Sequence, residues 1–318
     1  MAKNPVLETV CGVGYIGVYS VKNAETSQWV LEELAQQKPE IVAVLTEDMD
    51  ALRQIAQQNP DTIVGAGNVL CADCCEKAIA SGVKFVISPY FDEKSAQCTA
   101  EKDVLYVPIC QTFAEMAAAS KAGIDTVGYY PCMAGGAASL EIVARHFPNL
   151  KLIVMGERAV GAMGDIIAKT YVSAFGIFRG KPEDADFVCA ETFYKNAEEA
   201  VTGYETWHIG INTPSSEDAF ALASELNALL GLPIKKGPTG NFFVGTDIEV
   251  MKSYYRGTNG HIAIRTNKVP CAMYRFAKKG YKWDMDTAWP LEDGSILTVY
   301  LDVDTEFGGF AVHLLKKS

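Results

Sequence analysis

The sequence predicts an α/β barrel followed by a smaller α+β domain built from two βαβββ modules. Two observations carry this. Up to about Gly203, short apolar runs alternate with amphipathic stretches at a strand-to-helix spacing of roughly 20 residues, the signature of repeated βα units. Beyond Gly203 the runs alternate apolar with polar residues, and the segment Trp207–Thr213 (WHIGINT) recurs as Gly260–Thr266 (GHIAIRT).

In the first region Ile16–Val21 reads as a strand and Thr26–Gln36 as a helix. Ile41–Leu45, Thr62–Gly65, Lys84–Ser88, Val104–Pro108, Asp125–Tyr130 and Leu150–Met155 follow as strands, with Asp50–Gln58 and Ala72–Ala80 among the helices between them. Ser173–Phe178 supplies a last barrel strand and Phe193–Thr202 a closing helix, so the domains are expected at 1–203 and 204–318. Many parallel βα units in succession close most simply into a barrel.

In the second region each copy of His-Ile-x-Ile-x-Thr precedes a helix, Ser216–Leu230 or Pro270–Lys279, and then three strand-like runs. The last strands also correspond, Ile248–Lys252 with Val312–Lys316. The repeat therefore sets His208 against His261 and Glu249 against His313. Three of the chain's four histidines fall on these positions. Imidazoles with one carboxylate suit a divalent transition metal, whether Zn, Ni, Fe, Mn or Co. By strand alternation His208 shares a face with Gly210 and Asn212, and His261 with Ala263 and Arg265. Ile209, Ile211, Ile262 and Ile264 are expected on the opposite face, against a core. His146 falls on an amphipathic helix and is read as a surface or capping residue.

A formal charge of -11 argues against nucleic acid and anionic membrane as partners and leaves a small molecule. No apolar run approaches the ~20 residues of a membrane helix, and the first eight residues lack a signal-peptide pattern. Nine cysteines scattered through apolar segments read as reduced thiols of a cytoplasmic protein. The tightest group, Cys71-Ala-Asp-Cys74-Cys75, is read as inert helix residues.

The segments Val64–Leu70 (VGAGNVL), Phe85–Phe91 (FVISPYF), Val107–Glu115 (VPICQTFAE) and Val127–Gly136 (VGYYPCMAGG) resemble, in order and spacing, the 2-keto-3-deoxy-6-phosphogluconate / 4-hydroxy-2-oxoglutarate aldolase family over about Ile16–Arg179. The resemblance implies a (β/α)8 TIM barrel and a homotrimer. It also implies a strand-end lysine that forms a Schiff base with a 2-keto acid, and a glutamate that moves protons. Here the lysine position is Gly128, and ungapped reading puts the glutamate on Glu40. Carried over in the same way, the substrate-binding positions are Gly65, Asn68, Ser88, Pro89, Pro108, Thr112, Gly128, Gly135 and Gly136, with Arg158 or Arg179 to hold an anion. Asn68 replaces a threonine, Tyr90 and Ile109 replace glycines, and Val44 replaces an arginine. Lys22 and Lys84 are the lysines that a relocated Schiff base would use; Lys22 is the stronger, at the end of the first strand.

The second region, with NGHIAIRT and its paired modules, resembles the vicinal oxygen chelate superfamily of glyoxalases, epimerases and extradiol dioxygenases over Tyr204–Ser318. That resemblance maps metal ligands onto His208, Glu249, His261 and His313, the last more often Glu in the family. The expectation is a metal-dependent lyase or isomerase acting on a small oxygenated metabolite, a 2-keto acid or aldehyde. An aldolase using a relocated lysine and a non-catalytic keto-acid-binding or oligomerisation protein are the alternatives.

Overall fold

The computed structural model describes residues 4–130, 136–156, 163–180 and 193–317. The chain separates into two compact units, Met1–Val201 and Thr202–Ser318.

The first unit opens with α1 (Pro5–Val13). Asn4 caps it by accepting the Val6 and Leu7 N–H groups, Pro5 sits at the first helical position, and Gly14 ends it at φ 79°. Strands and helices then alternate: β1 (Tyr15–Ser20), α2 (Ala24–Gln37), β2 (Ile41–Leu45), α3 (Met49–Gln58), β3 (Ile63–Gly67), α4 (Ala72–Ala80), β4 (Phe85–Ser88), α5 (Glu93–Glu101), β5 (Leu105–Pro108) and α6 (Phe113–Lys121). The series continues with β6 (Thr126–Tyr129), α7 (Gly136–His146), β7 (Lys151–Gly156), α8 (Met163–Ile167), β8 (Val172–Arg179) and α9 (Phe193–Thr202).

The eight strands run parallel in the order β5-β4-β3-β2-β1-β8-β7-β6. A bridge between Ile109 and Gly128, with Cys110 N–H donating to Gly128 O at 2.8 Å, joins the two ends and closes the barrel. The loops into the helices end on capping side chains: Asn23, Asp48, Cys71, Asp92 and Thr112 each accept a backbone N–H of the first turn.

Strand alternation divides the interior into two layers. Val42, Val44, Val64, Ala66 and Val86 pack outward against Val30, Leu34, Leu52 and Ile55 of the helices. On the inner face Gly65 makes room for Phe85, since a Cβ there would lie 2.3 Å from the ring. Gly67 does the same for Leu45, at 2.2 Å. Small inner residues thus alternate with large ones, as the tapered interior of a barrel requires.

The second unit contains β9 (Glu205–Asn212), α10 (Ser216–Leu230), β10 (Ile234–Lys236), β11 (Phe242–Val244) and β12 (Ile248–Met251). It continues with β13 (Gly260–Thr266), α11 (Val269–Lys278), β14 (Trp283–Pro290), β15 (Ile296–Leu301), β16 (Glu306–Phe307) and β17 (Phe310–Lys316). The sheet order is β10-β11-β12-β9-β13-β17-β15-β14, with the two-residue β16 added beside β17. Each half runs second, third, fourth, first strand from its edge inward. The halves meet where β9 and β13 pair antiparallel, and each of these central strands pairs parallel with the last strand of its own module. The arrangement is a local twofold.

Each module has its own small core under its helix. Ala219 and Ala223 of α10 meet Val244 and Val250, while Val269 and Ala272 of α11 meet Val299 and Leu314. The helices therefore cover the third and fourth strands. This corrects the expected placement of the isoleucines: Ile209 is 42% exposed, Ile211 and Ile262 are half-buried, and of the four Ile264 is the one that packs against either of these two helix-covered cores. The better-buried face of the central strands is the polar one.

No helix of the described residues is long and apolar enough to cross a membrane.

Candidate functional site

The register of the central strands assembles the polar cluster of the second unit. Gly210 on β9 stands opposite His261 across the antiparallel seam and opposite Glu249 on β12. Ala263 on β13 stands opposite His208 across the seam and opposite His313 on β17. Each small central residue is thus flanked by two residues of metal-ligand type. The space at Gly210 is used: a Cβ there would lie 2.1 Å from His261 Cε1.

The four side chains are all buried. His208 Nε2 lies 3.0 Å from His261 Nε2, and each of these nitrogens lies 3.2 Å from Glu249 Oε2. One ring nitrogen from each of His208, His261 and His313 falls within 4.8 Å of the others. Glu249 Oε1 is occupied by Asn241 Nδ2 at 2.8 Å, which leaves Oε2 for the histidines. His313 Nδ1 contacts Thr298 Oγ1 at 2.8 Å, so its Nε2 is the free nitrogen. That Nε2 is buried with no hydrogen-bond partner among the described residues, as are Nδ1 of His208 and Nδ1 of His261.

This set fits a divalent cation. With bonds of about 2.1 Å, adjacent ligand atoms of an octahedron lie about 3.0 Å apart and those of a tetrahedron about 3.4 Å apart; the observed 3.0–3.2 Å edges fall in that range. A buried unpartnered nitrogen costs about 1–3 kcal/mol, which a cation at His313 Nε2 would offset. The surroundings also hold the rings in place. Tyr300 stacks on His313 at 4.5 Å and 22°, and Phe243 meets His208 edge-on at 5.7 Å.

Two members of the cluster, Glu249 and His313, are held deprotonated. Burial alone would raise the Glu249 carboxyl, but hydrogen bonds from His208, His261 and Asn241 outweigh it and hold the group well below the usual carboxylate range. Burial, followed by the neighbouring imidazoles of His261 and His208, pushes His313 down to about 3. A pH dependence follows for the metal-stripped protein. Unfolded His313 takes a proton near its ordinary 6.5, whereas the folded side chain stays neutral to about 3. The unfolded state then binds more protons, so stability falls as pH drops below 6.5, by up to ~1.4 kcal/mol per pH unit. Glu249 adds a loss of the same sign below its ordinary 4.5. Urea midpoints of chelator-treated protein should fall between pH 6.5 and 4.5, and His313→Asn should flatten that interval.

Thr298 gives a second expectation. Thr298→Val removes the side-chain hydroxyl that contacts His313 Nδ1. Loss of such an outer partner costs about 10–100-fold in metal affinity, to be read by competition with a chromophoric chelator. Equal affinity would show that the hydroxyl does not orient the ring.

Sequence reasoning named His208, Glu249, His261 and His313, and the structure brings their side chains together. It missed Asn241, Thr298 and Tyr300.

The C-terminal end of the barrel strands encloses a cavity of about 1200 Å³. Of the sequence candidates, Lys22, Asn68 and Pro89 line it, Asn68 in the left-handed region at φ 57°. Others lie elsewhere. Glu40 sits at the foot of β2, its carbonyl taken by Ile63 N–H, at the opposite end of the strand from the cavity. Leu45 lines the cavity, so strand alternation turns Ile41 and Ala43 inward with it and sets Glu40 and Val44 in the other phase. Gly65 accommodates Phe85, and the Thr112 hydroxyl is engaged in a capping box with Glu115. Ser88 and Pro108 pair at the ends of β4 and β5, both buried. Arg179 is buried against Glu33 at 2.7 Å, under Trp29 and Phe193, and is a structural ion pair. Lys84 is exposed beneath β4. Gly135 and Arg158 lie outside the described residues, and Gly136 opens α7.

Gly128 closes the barrel. A Cβ there would lie 3.0 Å from Ile109 Cγ1 and 3.3 Å from Met155 Cε, two apolar side chains that line the cavity. Charge at the mouth comes from Lys22, Glu47, Asp48 and Glu115. Asp48 and Glu115 are committed to helix caps. Burial would raise Glu115, but hydrogen bonds from Thr112 and Gln111 hold it below its ordinary value. Glu47, Gln111 and Met155 were not anticipated at the mouth.

An eight-stranded parallel barrel with a cavity at the strand C-termini places the first unit among the α/β barrels of TIM type. The chain belongs to the KDPG and KHG aldolase family, whose sequence profile matches residues 12–177. It is 29% identical over 160 residues to the KHG/KDPG aldolase of Escherichia coli (strain K12), covering 49% of this chain and 74% of that protein. It is 27% identical over 128 residues to the 2-dehydro-3-deoxy-phosphogluconate aldolase of Treponema pallidum, covering 40% of this chain and 61% of that one. The crystal structure of the 2-keto-3-deoxy-6-phosphogluconate aldolase of Zymomonas mobilis ZM4 superposes with a TM-score of 0.53 at 19% identity, over 62% of this chain and 96% of the other. That likeness speaks to the fold.

Proposed function

We propose that the second unit is a metal centre of vicinal oxygen chelate type, and that the chain is a metal-dependent lyase or isomerase of a small oxygenated metabolite of the 2-keto acid or aldehyde class. The observation that carries the reading is the convergence of one ring nitrogen from each of His208, His261 and His313, with Glu249 Oε2 3.2 Å from the first two and the buried His313 Nε2 without a hydrogen-bond partner among the described residues. The topology of two βαβββ modules meeting at a local twofold supports it.

A divalent transition metal bound there would supply Lewis-acid polarisation of a substrate carbonyl or enolate oxygen. The protein's own residues do the rest. With a metal on Nε2, His313 Nδ1 would carry the ring proton and donate it in a hydrogen bond to Thr298 Oγ1, holding the ring with its Nε2 lone pair toward the cluster. Asn241 donates to Glu249 Oε1 and aims Oε2 at the histidines. Tyr300 and Phe243 pack against the rings and exclude water from their edges.

In this reading the barrel is a diverged aldolase domain. Gly128 holds the position that resemblance assigns to the Schiff-base lysine, and glycine offers no amine. The names of the aldolase relatives suggest 2-keto acids as the class for its cavity. Metal analysis of protein purified without chelator tests the proposal. About one equivalent of a transition metal is expected; trace metal, with His208→Ala and His261→Ala unchanged in stability and metal content, would overturn it.

One observation favours a second reading. Lys22 lines the barrel cavity at the end of β1, in a chain of the aldolase family. Treatment with pyruvate and borohydride separates the two. The metal reading expects no reduced adduct, and an adduct on Lys22 would establish a relocated Schiff base.

A further inference from the structure

The loop from β3 to α4 carries a feature that neither site uses. Cys71 is the N-cap of α4 and is exposed, with its Sγ 3.0 Å from Cys74 Sγ and accepting the Cys74 N–H at 3.4 Å. Sequence reasoning started the helix at Ala72 and read the cluster as inert. The structure begins α4 at the same residue and sets Cys71 just outside it at its positive end, with Cys75 buried one turn in.

The division has chemical consequences. Hydrogen bonds from the Cys74 thiol and the Cys74 N–H lower the Cys71 thiol below its ordinary value. Burial pushes Cys75 up to about 12, with Cys98 beside it. Cys71 is therefore exposed and activated, Cys74 is half-buried with its thiol raised by the bond it makes to Cys71, and Cys75 is protected. A structural zinc site would need further ligands at tetrahedral distance. Among the described residues the one convergent group of three or more His, Cys, Asp or Glu is the histidine cluster of the second unit.

We propose that Cys71 and Cys74 form a redox-active dithiol that exchanges with low-molecular-weight disulfides. The Cys71 thiolate attacks one sulfur of the disulfide, forming a mixed disulfide and expelling one thiolate, which takes up a proton. Cys74, giving up its proton, then attacks Cys71 Sγ and expels the second thiolate. The net change is two protein thiols oxidised to one disulfide and one external disulfide reduced to two thiols. Cys71 is the attacking group because it is exposed and its thiolate is stabilised by the Cys74 N–H; Cys74 resolves because its sulfur is already in contact.

The test uses the full chain, reduced and then equilibrated in buffers of glutathione and glutathione disulfide, followed by mass measurement and peptide mapping. The expected product is protein lighter by two hydrogens, with Cys71 and Cys74 joined. Cys74→Ser should accumulate glutathione on Cys71, and Cys71→Ser should suppress both products. Serine is itself a good N-cap, so Cys71→Ser retains the helix start. Iodoacetamide at neutral pH should label Cys71 faster than a peptide cysteine. Failure of the pair to oxidise in glutathione disulfide, a disulfide mapping to Cys75 and Cys98, or unchanged glutathione uptake in Cys71→Ser would each overturn the proposal.

Discussion

Substituting His261→Ala is expected to strip the second unit of its metal and abolish turnover, because this residue touches every other part of the cluster. Its Nε2 lies 3.0 Å from His208 Nε2 and 3.2 Å from Glu249 Oε2, and its ring lies 5.1 Å from that of His313. Removing a ligand should cost more than the ~100-fold that bounds the loss of an outer partner. Metal content should fall from stoichiometric to trace, with His208→Ala matching it across the local twofold. The double variant should be no worse than either single one, since the residues act as a unit. Retained metal and activity in His261→Ala would remove the histidine cluster from the chemistry.

Gly210→Val should do similar damage with every ligand still present. The added Cβ would occupy the volume of the His261 imidazole, 2.1 Å from Cε1 and 2.4 Å from Nδ1. Both residues belong to the paired core of the sheet, so the side chain is expected to yield before the backbone. Overpacking of this kind costs about 1–3 kcal/mol, and the displaced ring leaves the cluster. Metal affinity should drop by more than ~100-fold, while the helix-covered cores around Val250 and Leu314 keep the unit folded. Ile209→Thr, one residue away on the opposite face and 42% exposed, is the control and should bind metal normally. Stoichiometric metal in Gly210→Val would mean that His261 is dispensable.

The contrast between the two sites shows what a sequence exposes. The four clustered side chains were legible because an internal repeat fixed their equivalence, and strand alternation then placed each on one face. Asn241, Thr298 and Tyr300 were not legible. They reach the cluster through the pairing of β11 with β12 and of β15 with β17, and pairing register between strands leaves no local mark in the chain. The isoleucines were misplaced because alternation says which residues share a face, but not which face a helix covers. Glu40 was misplaced by a count along the strand: one residue of phase turns a side chain from the interior to the helix layer. The strand order of the barrel was legible from βα rhythm, whereas α1 was overlooked despite Asn4, Pro5 and Gly14 at its ends.

Under the proposed function, the aldolase resemblance and the barrel's chemistry separate at Gly128, the position that the resemblance assigns to the Schiff-base lysine. Family spacing survives around Gly128, yet the local structure there is a tight bridge to Ile109 with Met155 alongside. None of Gly128, Ile109 and Met155 brings an amine to this part of the cavity. In this account the chemistry moves to the second unit.

An anomalous-difference map from crystals of metal-loaded protein, collected at the absorption edge of the bound metal, tests that claim most directly. The account predicts one strong peak per chain, ligated by Nε2 of His208, His261 and His313 and by Oε2 of Glu249. No peak among these four residues, with the metal at another site or absent, would contradict it.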